Sequence, residues 1–173
     1  KGGYIMNNER QEEAKLENYA QYQVVVDRLL ERGVKLSDIA DITYNLQKKY
    51  VPELTMEHCL SHVQRVVEKR EVQHAAITGI ELDVLAEKGL LSEPLSSMLL
   101  NDYGLYGIDE IMALSIVNVY GSIGFTNFGY VDKVKPGIIG ELDEAGKKDN
   151  VCHTFLDDIV GAIAAAAARS IAH

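Results

Sequence analysis

Three short acidic clusters, separated by apolar sequence, hold the residues of this chain best equipped for chemistry. The first is Asp102-Tyr-Gly-Leu-Tyr-Gly-Ile-Asp109-Glu110 and the second Asp132-Lys133-Val134-Lys135-Pro136. The third, Thr154-Phe-Leu-Asp157-Asp158, opens onto Ile-Val-Gly-Ala-Ile and a run of alanines. A carboxylate beside buried apolar surface is costly unless positive charge meets it, and adjacent acids add mutual repulsion. A divalent cation relieves both. Mg²⁺ takes hard oxygen ligands, commonly one or two carboxylates with water and substrate phosphate. It polarises a phosphoryl oxygen and helps to activate water, and Lys133 and Lys135 would neutralise the remaining phosphate oxygens. Each cluster alone has a plainer explanation. Asp109 and Glu110, like Asp157 and Asp158, fall in the first turns of expected helices, where carboxylates complement the helix dipole. Asp132 can cap a turn, and the two lysines can lie in a solvated loop. The conjunction of all three clusters carries the metal reading.

Other candidates are weaker. His58 and His62 stand four apart on one expected helix face, a spacing that suits a metal ion. No HExxH pattern or third ligand accompanies them, so they read as ordinary helix-face histidines. His74 reads as a polar packing element. His153 reads as a flank of the last helix, with proton transfer the alternative. Cys59 and Cys152 have no CxxC or zinc-type spacing and read as free thiols in a reducing compartment. Cys152 has no base beside it to make it a nucleophile. Tyr103, Tyr106, Tyr120 and Tyr130 read as core or pocket wall.

The chain has 173 residues, enough for one domain with a sizeable core. With 47% hydrophobic and 25% charged residues it is an ordinary globular composition. A formal charge of −9 without a Lys/Arg cluster excludes nucleic acid and simple electrostatic docking on anionic lipid. An anionic substrate therefore needs a local remedy such as a metal. Residues 111–131 carry no charge, but glycines and polar residues dilute them too much for a spanning helix, and no secretory signal is visible. The expected location is cytoplasmic, extending to the inner face of the membrane. Residues 1–8 read as a disordered leader and 9–173 as a single domain.

The elements that must position the clusters follow from periodicity and punctuation. A helix is expected from Glu9 to Arg32, with Leu16, Tyr19, Tyr22 or Gln23, Val26, Leu29 and Leu30 on one face and Gly33 as its stop. Ser37 would cap a helix over Asp38–Tyr50, ended by Pro52. Thr55 would cap a long helical stretch to Gly89 with a break near Lys69–Val72 and a second weak point at Gly79. A short helix runs from Pro94 to Asn101. Helix resumes near Ile108 as far as Gly121 or Ile123. Residues 124–140 read as irregular, 147–150 as a solvated turn, and the last helix starts at His153-Thr154. No alternating strands or internal repeats appear. The fold class is all-α, a single-domain bundle of about six or seven helices with the small-residue C-terminal helix at its centre. Glycine- and alanine-rich faces also suit homo-oligomer contacts.

The order and spacing of the three clusters resemble the phosphatidylglycerophosphatase A family. Its motifs are an Asp followed through a turn by an Asp-Glu pair, then Asp-x-x-Lys-Pro, then an Asp-Asp pair opening a small-residue helix. The stretch from Lys69-Arg-Glu-Val-Gln-His74 to Leu82-Asp83 is similar to a soluble, low-temperature-requirement-protein-like subgroup from Gram-positive bacteria. Gly129 departs from the pattern, standing where the family commonly carries Arg. The resemblance implies a Mg²⁺-dependent phosphomonoesterase, with Mn²⁺ as a substitute ion, that hydrolyses phosphatidylglycerophosphate to phosphatidylglycerol and phosphate. Its partner would be an anionic phospholipid head group at the membrane surface. It also implies that Asp109, Glu110, Asp132, Asp157 and Asp158 are metal or catalytic carboxylates, with Asp109, Asp132 and Asp158 as the catalytic ones, and that Lys135 contacts phosphate. The alternatives are a regulatory or scaffold domain that keeps the metal site without turnover, and an all-α nucleotide pyrophosphatase.

Overall fold

The computed structural model describes the backbone of residues 2–148 and 151–172, and side chains from Arg10 onward within those spans. The side chains of the leader expected over 1–8, and Asp149 and Asn150 of the expected turn, lie outside the described residues. Among the described residues there are nine helices and no strand: α1 (Gly2–Glu31), α2 (Leu36–Gln47), α3 (Met56–Val67), α4 (Arg70–Glu87), α5 (Leu95–Leu100), α6 (Ile108–Asn118), α7 (Ser122–Val134), α8 (Ile138–Lys148) and α9 (Leu156–Ile171).

The bundle is built around α9. A helix apolar on every side has no face to offer water and so becomes the centre of a protein. Residues 156–168 are all buried, and α2, α3, α4, α6, α7 and α8 pack against them. Alanines let those neighbours come close, while Leu156, Ile159 and Ile163 fill the space between. Each large aliphatic side chain of this kind contributes roughly 1.5–3 kcal/mol when fully buried. The closest approach is at Gly79 on α4, where a Cβ would sit 2.5 Å from Ile159 Cδ1 and 3.1 Å from Phe155 Cβ. Gly79 is therefore not the expected weak point. It is a contact surface, and α4 runs through it unbroken.

The break expected near Lys69–Val72 falls between α3 and α4, and Thr55 caps α3 by accepting a hydrogen bond from His58 N at 3.1 Å. Other boundaries differ from expectation. The second helix starts at Leu36, because Asp38 reaches back to accept from Lys35 N at 2.8 Å. On α1 the buried contacts are Val25 and Leu29, while Leu16, Tyr19 and Leu30 are exposed. This helix packs chiefly on α4. The largest correction concerns 124–140, which is α7, a break at Lys135–Gly137, and the start of α8. Gly124 sits inside α7 because it faces α6: a Cβ there would meet Val117 Cγ1 at 2.7 Å. Of the glycines that suggested a loop, Gly124 and Gly140 are packing residues, Gly137 takes the positive φ of the break, and Gly129 lies on an open face of α7. Lys147 and Lys148 close α8, paired to Asp143 and Glu144 one turn earlier.

Candidate metal and phosphate site

Four elements bring the acidic clusters together. Asp157 and Asp158 lie in the first turn of α9, and Asp109 and Glu110 in the first turn of α6. Asp132 closes α7, and Asp102 sits in the turn after α5 with φ of 45°, an uncommon left-handed conformation for a residue with a side chain. Together with Tyr103, Gly104, Gly107, Lys135 and Thr154 they line a cavity of about 160 Å³. Six carboxylates therefore face one lysine.

Lys135 reaches the cavity because α7 ends at it in a left-handed turn, φ 49° and ψ 55°. Its Nζ lies 2.7 Å from Asp157 Oδ2 and 3.1 Å from Asp132 Oδ1. Burial alone would lower its basicity, but Asp157, then Asp132 and Asp158, outweigh that and push it well above the ordinary lysine range. Lys133, on the same turn, is exposed and takes no part in the lining. Of the two lysines expected to meet phosphate, the structure places only Lys135 at the site.

The acids carry the strain of crowding. Burial, then Asp157, Asp109 and Asp132, push the Asp158 carboxyl up to about 8 despite Lys135. Asp157 is pushed to about 6 by burial and Asp102, with Lys135 opposing. Asp109 is also raised, first by burial and then by Asp102. Two of these side chains fold back on the next residue: Asp157 Oδ1 accepts from Asp158 N, and Asp109 Oδ1 from Glu110 N, both at 2.9 Å.

Asp83, seventy-odd residues upstream near the C-terminal end of α4, holds the third cluster in place. Fully buried, it accepts from Phe155 N at 3.1 Å and Leu156 N at 2.9 Å, so a side chain from another helix caps α9. Burial pushes its carboxyl up to about 7 against the pull of those two N–H groups. Arg32 and Glu87 clamp the strand of chain just before. They pair with each other, Arg32 donates to Cys152 O at 2.8 Å, and Glu87 accepts from Cys152 N at 2.7 Å. Thr154 donates to Leu99 O at 2.7 Å, tying the third cluster to α5.

The residues fit a hard divalent cation in donor type and in charge: oxygen donors only, and an excess of negative charge that one lysine does not cancel. No three acids, histidines or cysteines among the described residues converge as a ready-made cage. Lys135 stands between Asp132 and Asp157 and bridges them. Cys152 is no nucleophile, since burial and then Asp83 push its thiol up to about 12. His153 donates through Nδ1 to Leu142 O at 2.9 Å and faces a neighbouring cavity of about 330 Å³, which shares Asp102, Thr154 and Asp157 with the acidic one.

Asp109, Glu110, Asp132, Asp157, Asp158 and Lys135, expected at the site from the three clusters, all line one cavity, joined there by Asp102 and Thr154 from the same clusters and supported from behind by Asp83. Asp102 was visible as the opening of the first cluster. Asp83 had no local signal, because what it caps lies far along the chain.

Fold and cavity together define an all-helical protein with a carboxylate-rich site. The chain belongs to the phosphatidylglycerophosphatase A family, whose model matches residues 32–173. It is 62% identical over 146 residues to the uncharacterized protein YutG of Bacillus subtilis, covering 84% of this chain and 87% of that one. Among solved structures it is similar to the low temperature requirement C protein of Listeria monocytogenes, with a TM-score of 0.86 and 58% identity over 89% of this chain and 96% of that one. A protein of unknown function from Bacillus stearothermophilus matches with a TM-score of 0.85 and 60% identity over 88% and 93%. Gly129, where the family commonly has Arg, is open: a Cβ there would meet nothing within 4 Å.

Proposed function

We propose that this chain is a Mg²⁺-dependent phosphomonoesterase that hydrolyses phosphatidylglycerophosphate to phosphatidylglycerol and phosphate. The observation that supports it is the cavity of six carboxylates around Lys135, drawn from the motifs the family shares. Asp109, Glu110, Asp132, Asp157 and Asp158 would hold the ion. When bound, it would polarise the phosphoryl group and lower the cost of bringing a dianion among acids. Mn²⁺ offers similar oxygen-ligand chemistry.

Lys135 is positioned to neutralise a phosphoryl oxygen, and a charge aimed where charge develops is worth more in a confined site than in water. Asp158, whose carboxyl burial and the neighbouring acids raise in the metal-free protein, would serve either as a ligand to the ion or, if the other acids hold it, as the proton-carrying group. In the latter role it can take a proton from the attacking water or give one to the departing alkoxide oxygen of the glycerol. Asp132 and Asp109 orient the reacting groups from the opposite walls. Tyr103 lines the cavity and is half exposed, and Leu105, on the loop between the lining residues Gly104 and Gly107, is wholly exposed; this apolar rim suits a phosphate ester carried on a lipid. Among the described residues no helix is long and apolar enough to cross a membrane, so the substrate would be met at the surface.

The test is phosphate release from phosphatidylglycerophosphate in vesicles, with and without Mg²⁺, for the wild type and Asp158→Asn. Release that needs the ion and falls at least about a hundredfold in the variant supports the reading. No release with any of Mg²⁺, Mn²⁺ or Co²⁺ contradicts it. One observation favours a second reading, a regulatory domain without turnover: Lys135 already bridges Asp132 and Asp157, leaving the site partly neutralised by its own side chain. Ion binding without release would distinguish it.

A further inference from the structure

A second cluster of ligating side chains lies at the junction of α3 and the last turn of α9, built from groups the acidic site does not use. His58 and His62 face the same side of α3, with Nε2 atoms 3.1 Å apart and ring centroids 4.8 Å apart. Behind them, His62 Nδ1 lies 2.9 Å from Ser170 Oγ on α9. His62 is buried and His58 exposed.

We propose that His58 and His62 form a two-imidazole site for a divalent transition-metal ion, with Zn²⁺ as the representative. Two nitrogens bound tetrahedrally at about 2.05 Å from one zinc would stand about 3.3 Å apart, and two at right angles about 2.9 Å. The observed separation falls between these values, so the spacing already suits a shared ion, and a turn of the exposed His58 ring would aim both lone pairs at it. Ser170 supplies the outer partner that metal-bound histidines almost always have: it accepts from Nδ1–H of His62, which fixes the ring and leaves the Nε2 lone pair facing His58. Without an ion the two Nε2 atoms can share only a single hydrogen bond, one donating and the other accepting. Binding replaces it with two metal–nitrogen bonds, and the donor ring's proton moves to its own Nδ1 through solvent, so both rings stay neutral and none is lost.

The site selects against the ion proposed for the acidic cavity. Imidazole suits zinc, copper and nickel, whereas magnesium prefers oxygen. No further acid, histidine or cysteine among the described residues joins the pair, and the exposed side of His58 leaves the other coordination positions to water.

Calorimetric titration with Zn²⁺ in excess Mg²⁺, which keeps the acidic cavity supplied, tests this independently of any phosphatase activity. The wild type should bind one Zn²⁺ per chain. His58→Ala, which changes an exposed residue and should leave the fold intact by circular dichroism, should abolish binding over the range in which the wild type saturates. Ser170→Ala should weaken it about tenfold, and Asp158→Asn should bind as the wild type does. Absence of Zn²⁺ uptake by the wild type, unchanged uptake by His58→Ala, or loss of uptake in Asp158→Asn would each overturn the proposal.

Discussion

Lys135 and Asp158 show how little local chemistry separates a structural acid cluster from a working site. Asp157 is kept near 6 because Lys135 touches it, while Asp158, without that contact and hemmed in by three other acids, rises to about 8. The consequence for stability has a definite sign. Asp83, Asp157 and Asp158 bind protons more tightly folded than unfolded, since all three lie above the ordinary carboxyl value of 3.8. Their contribution is fully present below that value and is lost as pH rises through about 6 to 8. Metal-free protein should therefore lose stability from these groups between pH 5 and 8. In urea titrations at pH 8, Asp158→Asn should be more stable than the wild type by roughly 1–3 kcal/mol. Saturating Mg²⁺ should restore the wild type and leave the variant less affected. Lys135→Met makes the complementary case. Asp157 loses its partner, and phosphate release at saturating Mg²⁺ should fall at least about a hundredfold in kcat.

At the scale of elements, positioning depends on how closely α4 approaches α9. Asp83 can cap α9 only because Gly79, one turn earlier on α4, lets the two helices meet. Gly79→Ala should strain that contact and cost about 1–3 kcal/mol in a urea titration, although alanine is the better helix former. A gain in stability would show that the interface has slack. These helices were legible in the sequence where capping and charge marked them: Thr55, the charged break between α3 and α4, and the small-residue face of α9. They were illegible where glycine has two uses. In Gly79 and Gly124 the residue serves close packing and not a turn, and a one-dimensional pattern cannot tell these apart. On α1 the apolar stripe misled for another reason, since Val25 and Leu29 reach the core while Leu16, Tyr19 and Leu30, at the same 3.6-residue period, stay exposed.

The site as a whole was readable as three motifs because each sits where a helix begins or ends, and helix ends leave a sequence signature. Asp83 and the Arg32–Glu87 clamp were not, because partners 65 to 120 residues away are brought together only by the fold. The apolar rim belongs to this larger scale too. Leu105 is wholly exposed and touches nothing the fold needs. Leu105→Asp should leave folding unchanged yet reduce turnover of vesicle-borne substrate about tenfold, roughly the worth of burying one leucine. Turnover of a short-chain, freely dissolved analogue should be unaffected; equal losses on both would place Leu105 in the site and not at a membrane.

All of this turns on whether carboxylates from α6, α7 and α9 serve one ion. A crystal soaked in Mn²⁺ and measured at a wavelength where manganese scatters anomalously tests that directly. The expected result is a peak inside the cavity within bonding distance of Asp109 or Glu110 and of at least one of Asp132, Asp157 and Asp158, with Lys135 displaced from its present bridge. An empty cavity at saturating Mn²⁺, or peaks only on separate outer faces with Lys135 still joining Asp132 to Asp157, would contradict it.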